Sequence, residues 1–172
     1  MDKRWIAILI ILVVGVTSMY FIVNESTSIG TAITSLNKSI VTIPEGFTIG
    51  DTGKNYVELF NKSSPNEKIY IEDTGKNNDS LKQFNEKIKL LPLPNNEIEI
   101  IKNITNTTND VTYHSFYYEN TTSNIIDSIT FFTSYEHTYY MKMYGFKNID
   151  TMDGDLQFVV KTIQPDYKRS QD

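Results

Sequence analysis

Hydrophobic positions along the chain fall into two regimes. From Trp5 to Val23 there are 19 residues without a charge, and beyond them apolar residues come in short runs or alternate with polar ones. At 1.5 Å per residue a helix of the first stretch is roughly 28 Å long, close to the ~30 Å hydrocarbon core of a bilayer. The pattern predicts a membrane-spanning helix. Lys3 and Arg4 precede it, so the positive-inside rule leaves the amino terminus in the cytoplasm and Asn24 onward outside. Trp5 at one end and Tyr20 and Phe21 at the other match interfacial aromatic belts. Helices buried in soluble cores are usually shorter and interrupted by polar residues. A cleaved signal peptide shares the basic start, but its apolar core runs about 7–15 residues and ends at a small-residue site. Here the run continues through Tyr20-Phe21-Ile22-Val23, and the small-residue candidate is Gly15-Val16-Thr17. A retained anchor is the preferred reading, and both readings place the remaining chain in the same compartment.

Downstream, residues 1–23 as stub and anchor are followed by 24–39, a Ser/Thr-rich stretch with isolated Ile and Leu that reads as a linker. A domain is expected over 40–166 and a polar tail over 167–172. It opens with two short apolar runs around Pro44-Glu45-Gly46, and Tyr56–Phe60 and Lys68–Glu72 then suit a hairpin with a longer loop. Leu81, Phe84, Ile88 and Leu91 form one helical stripe over Ser80–Leu91, with Ser80 and Gln83 as a capping box and Pro92 and Pro94 as the stop. A strand is predicted over Ile98–Ile104, a polar loop over Thr105–Asp110, and three β-rich segments at Val111–Glu119, Ile125–Ser134 and His137–Phe146. In the last, Tyr139, Met141 and Met143 alternate with Tyr140, Lys142 and Tyr144, one set facing a core and the other facing out. A closing helix over Thr151–Ile163 carries Leu156, Val159, Val160 and Ile163 on one stripe, with Asp150 and Asp153 at its start. These elements give an α+β class: an N-terminal transmembrane helix, then an antiparallel sheet covered on one face by two helices.

Composition sharpens the picture. The 172 residues hold 11 Tyr and 9 Phe, too many large aromatic side chains for a disordered tail. Cysteine is absent, which removes disulfides, thiol catalysis, iron–sulfur clusters and Cys-zinc sites. Without Asp2, Lys3 and Arg4 the totals become 20 acidic and 14 basic residues, a net of −6 outside the membrane. Nucleic acid needs a basic patch, so it is not an expected partner.

Candidate chemistry is thin. Asp51-Thr52-Gly53-Lys54-Asn55 recurs as Asp73-Thr74-Gly75-Lys76-Asn77. The triplet matches aspartic-protease catalytic turns, yet Gly50 and Glu72 precede it where an apolar strand residue is required, and lysines follow. Asp-x-Gly is also ordinary turn chemistry, and Gly-Lys-Asn lacks the spacing of a phosphate loop. His114 and His137 are the two histidines, without helical zinc spacing, and are expected as surface or strand-face histidines. Asp150, Asp153, Gly154 and Asp155 lack the alternation of a calcium loop. No nucleophile elbow occurs, so catalytic residues, metal ligands and cofactors are all expected to be absent.

Asn-x-Ser/Thr triplets occur at seven positions: Asn24, Asn37, Asn61, Asn78, Asn103, Asn106 and Asn120. With 16 Asn and 32 Ser plus Thr in the chain, about three would arise by chance. The excess makes all but Asn24, which abuts the membrane, candidate glycosylation sites. Asn/Thr-rich usage is the competing explanation.

The order of elements resembles the PsbP/Mog1-like α/β/α sandwich. Val41-Thr42-Ile43-Pro44-Glu45-Gly46-Phe47 is similar to the opening of such domains and Phe158–Ile163 to their last helix, over about Ile40 to Pro165. The anchor, the Asn/Ile/Tyr/Lys bias and the triplets are similar to small anchored proteins of methanogenic archaea. That resemblance implies a fold and a place and carries no catalytic residue. The expected function is an anchored, non-enzymatic extracytoplasmic module that binds a protein, glycan or envelope component through an exposed sheet face or loops, with Tyr117, Tyr140 and Tyr144 as the candidate interaction face. The alternative is an accessory subunit whose transmembrane helix contacts a membrane complex, with Gly15 permitting one close approach.

Overall fold

The computed structural model describes residues 32–76, 78–91 and 97–166. The predicted span at Trp5–Val23, Asn24 and the polar tail lie outside the described residues. Among the described residues no helix is long and apolar enough to cross a membrane. The compact unit beginning at Ala32 runs β1 (Ile33–Leu36), β2 (Ser39–Thr42), β3 (Phe47–Thr52), β4 (Tyr56–Asn61), β5 (Lys68–Lys76), α1 (Ser80–Ile88), β6 (Ile98–Thr108), β7 (Val111–Asn120), β8 (Ile125–Ser134), β9 (His137–Phe146), α2 (Ile149–Thr162) and β10 (Gln164–Pro165).

Seven strands form one antiparallel sheet in the order β3-β4-β5-β9-β8-β7-β6, and β1, β2 and β10 form a second, small sheet. Alternation in the central strands divides the large sheet into two faces. Val57 and Leu59, Ile69 and Ile71, and Met141 and Met143 point to one side, where α2 adds Met152, Leu156, Val159 and Val160 to the main core. Leu36 and Val41 from the small sheet join that core. Phe116, Ile129 and Phe131 point to the other side and pack with Phe84 of α1.

The helices therefore lie on opposite faces, which corrects the expectation that both cover one. The reason lies in β7 and β8. Tyr113 and Tyr117 with Phe132 serve the first face, while the intervening Phe116 and Phe131 need cover on the second.

Other boundaries move for local reasons. The predicted linker ends sooner, because Ile33–Leu36 pairs antiparallel with Ser39–Thr42 and fully buries Leu36. Asn37 makes the tight turn at φ +55, a region Asn tolerates. Helix α1 is capped by Asp79, whose side chain accepts from the Lys82 amide, rather than by Ser80. The Asn/Thr segment predicted as a loop continues β6 to Thr108, and the turn tightens to Asn109-Asp110, both at positive φ. Helix α2 starts two residues early because Asn148 accepts from the Asp150 and Thr151 amides. β8 and β9 stand at their predicted bounds, joined through Tyr135-Glu136 at φ +49 and +67.

Gly145 near the end of β9 sits at φ +83, and a Cβ there would lie 2.0 Å from the Asn66 carbonyl oxygen in the β4–β5 loop. Backbone cannot yield as a flexible side chain does. Gly145→Ala is therefore expected to cost about 3 kcal/mol, combining backbone strain with a forced loop shift. Thermal melting of the two proteins measures it.

Candidate functional site

Helix α1 packs on β7 and β8 and reaches the near ends of β9 and β5, where Lys87 lies 5.3 Å from the Tyr140 ring centroid and Gln83 accepts from the Thr74 hydroxyl at 3.2 Å. No further element among the described residues covers the rest of that face of β4, β5 and β9. Register fixes what that open area presents. Tyr56, Glu58 and Phe60 on β4 stand opposite Glu72, Tyr70 and Lys68 on β5, and these stand opposite Tyr140, Lys142 and Tyr144 on β9. All nine are half-buried, as expected for side chains on a pleated face seen from outside. Two glutamates balance two lysines, so the grid is neutral. Tyr70 is its centre, with ring centroids 5.5 Å from Tyr56 and 6.2 Å from Tyr140.

Carboxylates hold the phenols in place. Tyr144 donates to Glu58, which also pairs with Lys68 at 2.9 Å, so one carboxylate ties β4 to β5 and reaches β9. Tyr70 donates to Glu72 at 3.1 Å and Tyr56 to Asp51 at 2.9 Å. The hydrogen bond from Tyr144, with help from Lys68, holds the Glu58 carboxyl below its usual range against the opposing effect of burial. Burial and then Glu72 push the Tyr70 phenol up to about 12, and burial and Glu58 raise Tyr144 as well. These tyrosines stay neutral donors throughout the physiological range. Lys68 and Lys142 lie 5.9 Å and 5.1 Å from the Tyr144 ring centroid, adding cation–π contacts.

Of the three tyrosines expected on one face, the structure brings Tyr140 and Tyr144 together and removes Tyr117. That residue is 0% exposed in the main core, where its hydroxyl donates to Asp153 and Lys102 lies over its ring. Three consecutive aromatic residues, Phe116-Tyr117-Tyr118, conceal which parity faces inward until the register with β8 is known. Tyr56 and Tyr70 were missed. Their signal was present, since Tyr56-Val57-Glu58-Leu59-Phe60 and Lys68-Ile69-Tyr70-Ile71-Glu72 alternate strictly, but the β5–β9 pairing that sets Tyr70 beside Tyr140 spans a long sequence gap.

Both histidines stand on strand faces, His114 in β7 and His137 in β9, and both are buried rather than at the surface. His114 meets Thr105 at 2.8 Å and packs near Phe84, and burial lowers its pKa. His137 meets the Asp73 carboxylate at 2.8 Å, and the Asn37 amide donates to the same oxygen at 2.8 Å. The other Asp73 oxygen accepts from the Gly75 amide at 2.9 Å. With Asn37 and Gly75 as donors, the acid is satisfied as a structural pin that locks the β1–β2 turn to β5 and β9.

The repeated Asp-Thr-Gly thus serves two purposes. Asp73 is buried at a bulge in β5, whereas Asp51 is exposed on the other face and two strands away, roughly 10 Å. The two aspartates do not share a proton. Among the described residues no three of His, Asp and Glu gather closely enough to hold a metal ion.

No protein-family model and no curated protein matches the sequence. Solved structures that resemble this chain include two at low sequence identity. The solution structure of cyanobacterial PsbP (CyanoP) from Synechocystis sp. PCC 6803 is 11% identical with a TM-score of 0.49, over 80% of this chain and 95% of that one. A crystal structure from Bacteroides thetaiotaomicron VPI-5482 is 10% identical with a TM-score of 0.43, over 76% of this chain and 46% of that one. The likeness is one of fold. The geometry of the chain itself must carry any reading of its role.

The acidic residues around α2 divide similarly. Asp150 lies in its first turn, Asp153 takes Lys102 and Tyr117, and Asp155 lies half-buried near Glu67. Burial first and Glu67 second push the Asp155 carboxyl up to about 6. Its folded value exceeds the unfolded one, so ionisation opposes folding: the penalty is complete above about pH 6 and fades as pH falls toward 4. Asp155→Asn is expected to stabilise the protein at pH 7.5 by about 1–2 kcal/mol after allowance for partial exposure, a gain that vanishes near pH 4. Urea titrations at the two pH values test the sign.

Proposed function

We propose that this chain is a membrane-anchored, extracytoplasmic binding module without catalytic activity, which engages a protein partner through the open face of β4, β5 and β9. The carrying observation is the neutral grid centred on Tyr70, with Tyr56 and Tyr140 in ring contact on neighbouring strands. Tyrosines offer large rigid contact area at little entropic cost, and they concentrate at the energetic centres of protein interfaces. Glu58, Glu72, Lys68 and Lys142 are interleaved with them, so both charge signs are available for register. A protein is favoured over a glycan because Tyr56 and Tyr70 stack on each other, which commits a face of each ring to its neighbour. The uncharged run from Trp5 to Val23 after Lys3 and Arg4 supports the anchored placement.

Full-length protein captured from its own membranes tests this directly. The double variant Tyr56→Ser with Tyr70→Ser is expected to lose its partner at least tenfold, and so is Lys142→Glu. Tyr117→Phe, which alters the core and leaves the face intact, is expected to retain the partner. An unchanged set of captured proteins across all variants would remove the assignment.

A further inference from the structure

Six of the seven Asn-x-Ser/Thr triplets fall within the described residues, and the fold treats them unequally. The Asn37 amide is committed to the buried Asp73 carboxylate, and the hydroxyl of its triplet, Ser39, is 3% exposed and bonded to Tyr139. Asn61 donates to Glu67 and accepts from the Ser63 and Ser64 amides. Asn78 donates to the Thr74 carbonyl at 2.8 Å. Asn120 closes a turn by accepting from the Thr122 and Ser123 amides. Asn106 accepts from the Thr107 amide and interacts with the Tyr113 side chain. Asn103 differs from all of these: it is exposed, as Asn106 is, but its side chain has no hydrogen-bond partner among the described residues.

We infer that Asn103 is an N-glycosylation site of this protein and that the sugar shields the outer edge of the sheet; this rests on the extracytoplasmic placement proposed above. Strand geometry favours it. Residues two apart share a face, so Asn103 and Thr105 of its triplet lie on the same side of β6 and both are exposed. The Thr105 hydroxyl meets His114 Nδ1 at 2.8 Å, while the Asn103 amide, which would take the sugar, has no such partner among the described residues. The transfer needs a lipid-phosphate-linked sugar as donor. The Asn103 Nδ2 forms a bond to the anomeric carbon, the carbon–oxygen bond to the lipid phosphate breaks, the phosphate leaves with the electron pair, and the amide proton passes to a base of the transferase.

The edge supplies the purpose. β6 is the outermost strand, 11 residues long, with Ile100 and Ile101 at 41% and 37% exposure. Its charges are Glu99 and Lys102, and Lys102 is drawn away to Asp153. Long edges with so little charge invite pairing with another chain, and a bulky sugar in mid-strand blocks that approach.

The test is peptide mass spectrometry on full-length protein purified from the membranes of its own cells, after intact cells have been labelled with a membrane-impermeant amine reagent. The expected result is a glycan on Asn103, bare Asn37 and Asn78, and an intact mass that falls by one glycan in Asn103→Gln. That conservative surface variant should also shift from monomer to higher species in light scattering. A bare Asn103 on surface-labelled protein overturns the inference and spares the binding role. Bare Asn103 on protein shielded from the reagent overturns both. A glycan on Asn103 whose loss leaves the protein monomeric overturns the shielding.

Discussion

The architecture depends on strict two-residue alternation in β4, β5 and β9. Val57, Leu59, Ile69, Ile71, Met141 and Met143 are all fully buried. A one-residue slip of any of these strands would turn its apolar set toward water and push its Tyr, Glu and Lys residues into the core, so register is strongly specified. That same alternation creates the opposite face. Each residue between two core positions must stand on the outer side, and the sequence fills those places with tyrosines and paired charges.

Polar pins then fix the layers that alternation alone leaves free. Asp73 joins the β1–β2 turn to β5 and β9 through Asn37 and His137. Asp153 joins α2 to β6 and β7 through Lys102 and Tyr117. Each pin uses an acid whose oxygens both meet donors, amides and an imidazole at Asp73 and an ammonium and a phenol at Asp153, so removing one partner would leave a partly desolvated group behind. Asp127, half-buried at the bulge in β8, accepts from the Gly145 amide at 3.1 Å and repeats the device at the other end of β9.

How far the sequence disclosed this varies by element. β8 and β9 were legible because dense aromatic and β-branched residues are interrupted by two residues alone, Tyr135-Glu136. The stripe of Leu156, Val159, Val160 and Ile163 was equally plain, and all four are buried. β1 was illegible: its four residues bury Leu36 alone, and its partner strand pairs in turn with β10 at the far end of the chain. The extension of β6 through Thr105–Thr108 was hidden because polar residues on an exposed edge carry no apolar alternation. For the site, Tyr140 and Tyr144 followed from local pattern, whereas Tyr117 needed the β7–β8 register and Tyr70 needed the β5–β9 pairing. Local alternation assigns faces, and long-range pairing decides which faces become neighbours.

Covalent footprinting of lysine and tyrosine side chains, compared between full-length protein in native membranes and the same protein purified in detergent, tests the central claim most directly. A face occupied by its partner should show Tyr56, Tyr70, Lys68 and Lys142 labelled several-fold less in membranes, with Tyr135 at the β8–β9 turn labelled equally in both. Equal labelling of the four grid residues in both preparations would contradict the account.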